Sequence, residues 1–161
     1  MTTRPRHHVF IEWLRAALFS VETVVALFTL AMFLLAPDYI VDLVDPLFSI
    51  DPPGVLAILA VPYLLTATTW KLAEGLLRPV TNCGALLGWP DYWRLALRVR
   101  VALLFSVAGA VSSTSGWILY RSIDRFAGAS ISVAGFLVPG VSLVTVALAK
   151  LVSRDILDRA M

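Results

Sequence analysis

Long apolar runs separated by short polar segments set the pattern of this chain. The first run, residues 16–36 (AALFSVETVVALFTLAMFLLA), carries a single charge, Glu22, and stops at Pro37-Asp38. At 1.5 Å per residue its 21 residues make a helix of about 31 Å, close to the thickness of a bilayer's hydrocarbon core. Three comparable runs follow at residues 54–72, 101–120 and 129–151. The pattern predicts an all-α membrane protein: a four-transmembrane-helix bundle forming one polytopic domain over residues 1–161. The first run is too long for a signal-peptide core, and Leu35-Ala36-Pro37 is no small-residue cleavage site, so it is read as a retained helix.

The segments between the runs differ in charge. Residues 37–53 contain Asp38, Asp42, Asp45 and Asp51 and no Lys or Arg. On a helix Asp38, Asp42 and Asp45 share one face, while Ile40, Leu43, Val44 and Leu47 populate the other, which predicts a short helix lying on the outer surface. Asp42 and Asp45 also have the spacing of a divalent-cation pair, but one isolated copy fits a solvated acidic face better. Residues 79–98 combine Trp89, Tyr92 and Trp93 with Arg94 and Arg98. Aromatic and basic residues together mark an amphipathic segment at the inner leaflet, with Trp89, Trp93, Arg94 and Arg98 as its lipid or partner surface. Of the 13 basic residues, all but Arg121 and Arg125 fall in segments that share a side with the N-terminus. The positive-inside rule then places both termini in the cytoplasm.

Polar residues within the runs are the candidates for function. A carboxylate at the depth of Glu22 is costly against lipid, so it faces the bundle or, if the helix is shifted, reaches the headgroups near Arg15. Ala26, Thr29 and Phe33 lie on its face. In the third run Ser106, Gly109, Ser112, Ser113 and Gly116 recur at intervals of three and four. Such small residues allow another helix to approach closely, and the Glu22 stripe is the expected partner. Pro62 and Pro139 each remove a backbone donor in mid-run and predict kinks in the second and fourth helices.

Composition agrees with a lipid solvent. The mean hydropathy is +0.84, with 59% hydrophobic and only 15% charged residues, outside the range of soluble domains. The net charge of +2 is explained by topology and requires no nucleic acid. Candidate chemistry is sparse. No apolar run contains histidine; His7 and His8 are adjacent in the N-terminal arm, where a helix would aim them about 100° apart; and Cys83 has no partner cysteine. No catalytic set, metal site or cofactor is expected. The sequence therefore points to a non-catalytic integral membrane subunit, such as a sensor, effector, anchor or immunity or assembly component of a bacterial inner-membrane complex. It would contact the bilayer and either itself or another subunit. The alternative is a homo-oligomeric, holin-like pore or channel using Glu22 and the third helix, and behind that a small membrane enzyme.

Overall fold

The computed structural model describes residues 18, 20–77 and 91–160, with the side chains of Pro52 and residues 156–160 outside the description. Five helices occupy these residues: α1 (Val21–Leu35), α2 (Pro37–Phe48), α3 (Pro52–Leu77), α4 (Tyr92–Ser122) and α5 (Arg125–Ala160). No strand occurs among the described residues. Three segments, Pro53–Leu77, Tyr92–Ser122 and Arg125–Asp155, are long and apolar enough to cross a membrane, and the bent pair α1 and α2 makes a fourth if counted as one span. The N-terminal arm with His7, His8 and Arg15, together with Cys83 and Trp89, lies outside the described residues.

The frame of the bundle is the antiparallel pair α4 and α5, the most extensive helix contact in the molecule. It is built where side chains are smallest. A Cβ placed on Gly128 would lie 2.2 Å from the Tyr120 nitrogen, and one on Gly135 would lie 2.4 Å from the Ser113 nitrogen. On the opposite strip, Gly116 faces Ser132 and Gly109 faces the ring of Pro139 at similarly close range. Between helices in lipid there is no hydrophobic drive, so contact of this kind, backbone against backbone, supplies the association by dispersion. The small residues of the third run thus pack, but against α5 and not against the Glu22 stripe of α1. Gly109, Ser113 and Gly116 form the seam, Ser106 turns toward α3, and Ser112 is only half-buried.

Helix α3 joins this frame through hydroxyls. The Thr66 hydroxyl donates to the Pro62 carbonyl at 2.8 Å and lies 2.9 Å from the Ser106 hydroxyl of α4. The Tyr63 hydroxyl lies 3.0 Å from that of Thr114, and the Tyr92 hydroxyl donates to the carbonyl of Leu76 at 2.9 Å, covering the end of α3. Both Pro62 and Pro139 are buried within helices that continue through them without a break. Tyr92–Arg98, expected in an interfacial segment, is the first part of α4 itself.

The first apolar run is not one helix. Ser20 has extended backbone dihedrals and its hydroxyl accepts from the Thr23 amide at 3.0 Å, so α1 starts afresh at Val21. Serine is among the strongest N-caps because its oxygen satisfies one of the donors that a helix start leaves open. At Ala36 the chain turns by 108° into α2, with Pro37 at the first helical position. Helix α2 then lies against α5, burying Ile40, Val41, Val44 and Phe48. Of the four residues assigned to the apolar face, Ile40 and Val44 meet protein, whereas Leu43 and Leu47 are exposed together with Tyr39. The helix therefore has three faces: one toward protein, one acidic through Asp38 and Asp42, and one apolar and uncovered.

The glycine seam can be tested by adding one methyl group. Gly135→Ala forces the α4 backbone to shift and should cost about 1–3 kcal/mol in a thermal or denaturant unfolding measurement. Gly140→Ala meets nothing within 4 Å and should leave the midpoint unchanged or raise it, since alanine favours a helix by about 1 kcal/mol over glycine.

Candidate functional site

Two polar clusters hold the α1–α2 arm to the frame, one at each end. The first is built on Glu22, in the first turn of α1 directly after the Ser20 cap. The new helix start has a consequence for the carboxylate, because the amides of a first turn carry the positive end of the helix dipole and favour a negative charge there. Glu22 is 0% exposed. Its Oε1 accepts from the Thr145 hydroxyl of α5 at 2.9 Å, and its Oε2 lies 3.7 Å from an Arg98 guanidinium nitrogen of α4 without a hydrogen bond. The Thr145 hydroxyl also lies 3.1 Å from the carbonyl of Val141. It has one proton, and the shorter, charge-assisted contact to the carboxylate is the stronger use of it.

The carboxylate is inside the bundle, while its partner Arg98 keeps 30% of its side chain exposed and sits near the basic end of α4. A long cationic side chain can bury its stem and leave its charged head near water. Thr29, on the same stripe as Glu22, bonds the carbonyl of its own Val25 at 2.9 Å and faces α5. Arg94 and Trp93, the other described members of the inner surface, are placed differently. Arg94 is exposed, pairs with Asp91 at 3.2 Å and stacks 5.5 Å from the Trp93 ring centroid.

The second cluster closes the opposite, elbow end of the bundle, where α1 meets α2 and α4 meets α5. Asp45 of α2 accepts from the Tyr120 hydroxyl and from the Arg125 guanidinium. Arg125 also donates to the Tyr120 oxygen at 2.9 Å and stands 5.5 Å over its ring. The Phe48 ring meets Tyr120 edge-on at 5.3 Å, and Arg121 donates to the Phe48 carbonyl at 3.2 Å. The Tyr120 hydrogen bond, and after it the Arg125 contact, hold the Asp45 carboxyl below the usual carboxylate range. The Asp45 carboxylate is thus taken up by Arg125, while Asp42 points to solvent. No group of three or more metal-ligating side chains occurs among the described residues. Asp38, Asp42 and Asp51 stay exposed.

Tyr120 and Arg125 were not singled out as functional by sequence pattern. The available signal was the acidic segment 37–53 facing the only two basic residues assigned to its side, Arg121 and Arg125.

Both clusters give measurable consequences. Arg98→Ala leaves the Glu22 charge buried without its countercharge. Breaking a fully buried pair costs about 3–5 kcal/mol, and the loss here should fall at the low end because Arg98 is partly solvated. Glu22→Gln keeps an acceptor for Thr145, and adding it to Arg98→Ala should recover much of the lost stability. Arg94→Ala, breaking an exposed pair, should cost at most about 1 kcal/mol. Equal midpoints for Arg98→Ala and Arg94→Ala would show that the buried pair is not a tie. At the elbow, a depressed carboxyl pKa contributes stability that is present above the unfolded value of 3.8 and is lost as pH falls through the folded value. Hydrogen exchange of the α2 amides should therefore accelerate below about pH 4, after correction for the intrinsic rate. In Asp45→Asn the exchange should be faster throughout and flat in this window. Comparison of the chain with protein-family models, with curated proteins and with solved structures found no match.

Proposed function

We propose that this chain is a non-catalytic subunit of a membrane assembly, crossing the inner membrane four times with both termini in the cytoplasm. The observation that carries this reading is the placement of Glu22. The one charge of the first run is fully buried within a single chain and tied to α4 and α5. A pore assembled between copies would need that carboxylate on the surface where copies meet. Among the other hydroxyls, Thr69 and Ser113 bond their own helices and Thr66 lies beside Ser106, whereas the buried ones of Ser132 and Ser142 on α5 have no hydrogen-bond partner among the described residues.

The four-crossing topology is supported by how α1 runs along α5. Its start touches Thr145, and Leu30 and Phe33 near its end border a groove with Ala127. The 15 residues of α1 make about 22 Å, and the whole apolar run 16–36, at 21 residues, is long enough for a hydrocarbon core of about 30 Å. Charge supports the orientation. Lys71, Arg98, Arg100, Lys150 and Arg154 gather at one end of the bundle, and the exposed aspartates Asp38, Asp42, Asp51 and Asp124 gather at the elbow end. Between the two ends, Phe28, Leu64, Val111 and Leu137 stand exposed, a surface suited to lipid. What such a body offers a partner is shape at its surface.

Native mass spectrometry on protein extracted directly into lipid nanodiscs, with ion-flux measurement on the same sample, tests the proposal. A defined complex with a second membrane chain and no flux above empty vesicles is the expected result. A closed homo-oligomer that conducts, and stops conducting in Glu22→Gln, would replace this reading with the pore.

A further inference from the structure

Between the two polar ties, α1 does not close tightly on α5. A groove of ≈ 290 Å³ opens there. Its lining includes Ala26, Ala127 and Ala134, whose side chains are too short to fill the gap between the helices. The groove also contains Thr29 and Ser130, but both hydroxyls are turned away. Thr29 donates to the Val25 carbonyl at 2.9 Å and Ser130 to the Phe126 carbonyl at 3.0 Å. A polar ligand would find no open donor. At the rim, Leu30 and Ile131 are 52% and 39% exposed on the face that meets the hydrocarbon. The volume lies at the lower bound of ligand pockets, roughly 300 Å³, and suits a single hydrocarbon chain better than a packed helix.

The elbow end of the groove restricts what the chain can be attached to. Asp38, Asp42, Asp51 and Asp124 are exposed there, whereas Arg125 is shared with Asp45 and Arg121 is bonded to the Phe48 carbonyl. Asp124 also accepts from the amides of Phe126 and Ala127 at 2.9 and 3.0 Å. The start of α5, which would otherwise attract a phosphate, is already capped by a carboxylate. The local field is negative, and it repels an anionic head group while attracting an ammonium.

We propose that the α1–α5 groove holds one acyl chain of a phospholipid from the leaflet at the elbow end, and that the acidic rim selects an ethanolamine head group over an anionic glycerol one. The site rests on the reading of α1 as a lipid-facing crossing, and the groove and rim together make the arm and its lipid a single packed unit.

The test is competition in native mass spectrometry. Detergent-purified protein is offered equal amounts of phosphatidylethanolamine and phosphatidylglycerol with identical acyl chains. One phosphatidylethanolamine should be retained at activation energies that strip the rest, at least tenfold over phosphatidylglycerol, and Ala134→Trp should abolish that retained lipid. Equal retention of the two lipids, or a variant that keeps its lipid, overturns the proposal. Because a tryptophan can disturb packing, the wild-type chain is also labelled with phosphatidylethanolamine carrying a photoreactive diazirine on its acyl chain. Adducts on α1 and α5 around Leu30 and Ile131 are expected, and adducts confined to other helices overturn the site. Disulfide-linked dimers of Ala134→Cys in a Cys83→Ser background would instead put a second copy in the groove. Failure of the α1 crossing itself has a separate signature, since it would put the N-terminal arm and Arg154 on opposite sides of the membrane, which a missing lipid site leaves unchanged.

Discussion

Close backbone contact between α4 and α5 is the constraint on which the rest of the molecule depends. In lipid, helices gain nothing by hiding apolar surface from their solvent, so they must fit one another. Gly128 and Gly135 bring α5 against the backbone of α4, and Gly109 and Gly116 return the contact from the other side. That pair gives a rigid two-helix frame. Helix α3 joins it through Thr66 and Ser106 at mid-span and through Tyr92 at the basic end. The α1–α2 arm lies along α5 and touches α4 chiefly through polar side chains from its two ends.

The two ends of the arm are held by different physics. At the basic end the break at Ser20, the carboxylate of Glu22 and the guanidinium of Arg98 act as one device. The break creates a helix start, the start favours a negative charge, and Arg98 and Thr145 hold the charge where water does not reach. Removing Arg98 leaves the Glu22 carboxylate buried without its countercharge. At the elbow, Asp45 and Arg125 are half-exposed, so water and salt screen their attraction. Much of the holding there falls to Phe48 and its neighbours Ile40, Val41 and Val44, which pack on α3 and α5. Between the ends the alanines leave a space that protein does not fill.

Much of the fold was legible because length and hydropathy report directly on a bilayer. The small residues of the third run were legible as a seam because spacing by three and four puts them on one face. Which helix they meet was not, since a stripe on one helix carries no label for its partner; α5 won because Gly128, Ser132 and Gly135 present a matching stripe. Ser20 was invisible within an apolar run, where one hydroxyl barely changes the mean hydropathy but is enough to restart a helix. Helix α2 contains two apolar stripes side by side, one through Ile40, Val44 and Phe48 and one through Tyr39, Leu43 and Leu47. Periodicity alone could not tell which of them meets protein. The Glu22 site was half legible: the buried carboxylate announces itself, but Arg98 and Thr145 come from distant parts of the chain.

On the proposed topology α1 crosses the membrane beside α5, so that the N-terminal arm and the end of α5 share one side. A parity measurement addresses it without disturbing either tie: impermeant-maleimide labelling of Thr3→Cys and of Arg154→Cys, each in a Cys83→Ser background, in intact and in permeabilised cells. Both positions should stay protected until permeabilisation. Labelling of Thr3→Cys in intact cells while Arg154→Cys stays protected would mean an odd number of crossings, and would contradict the path of α1 from Thr145 to the elbow.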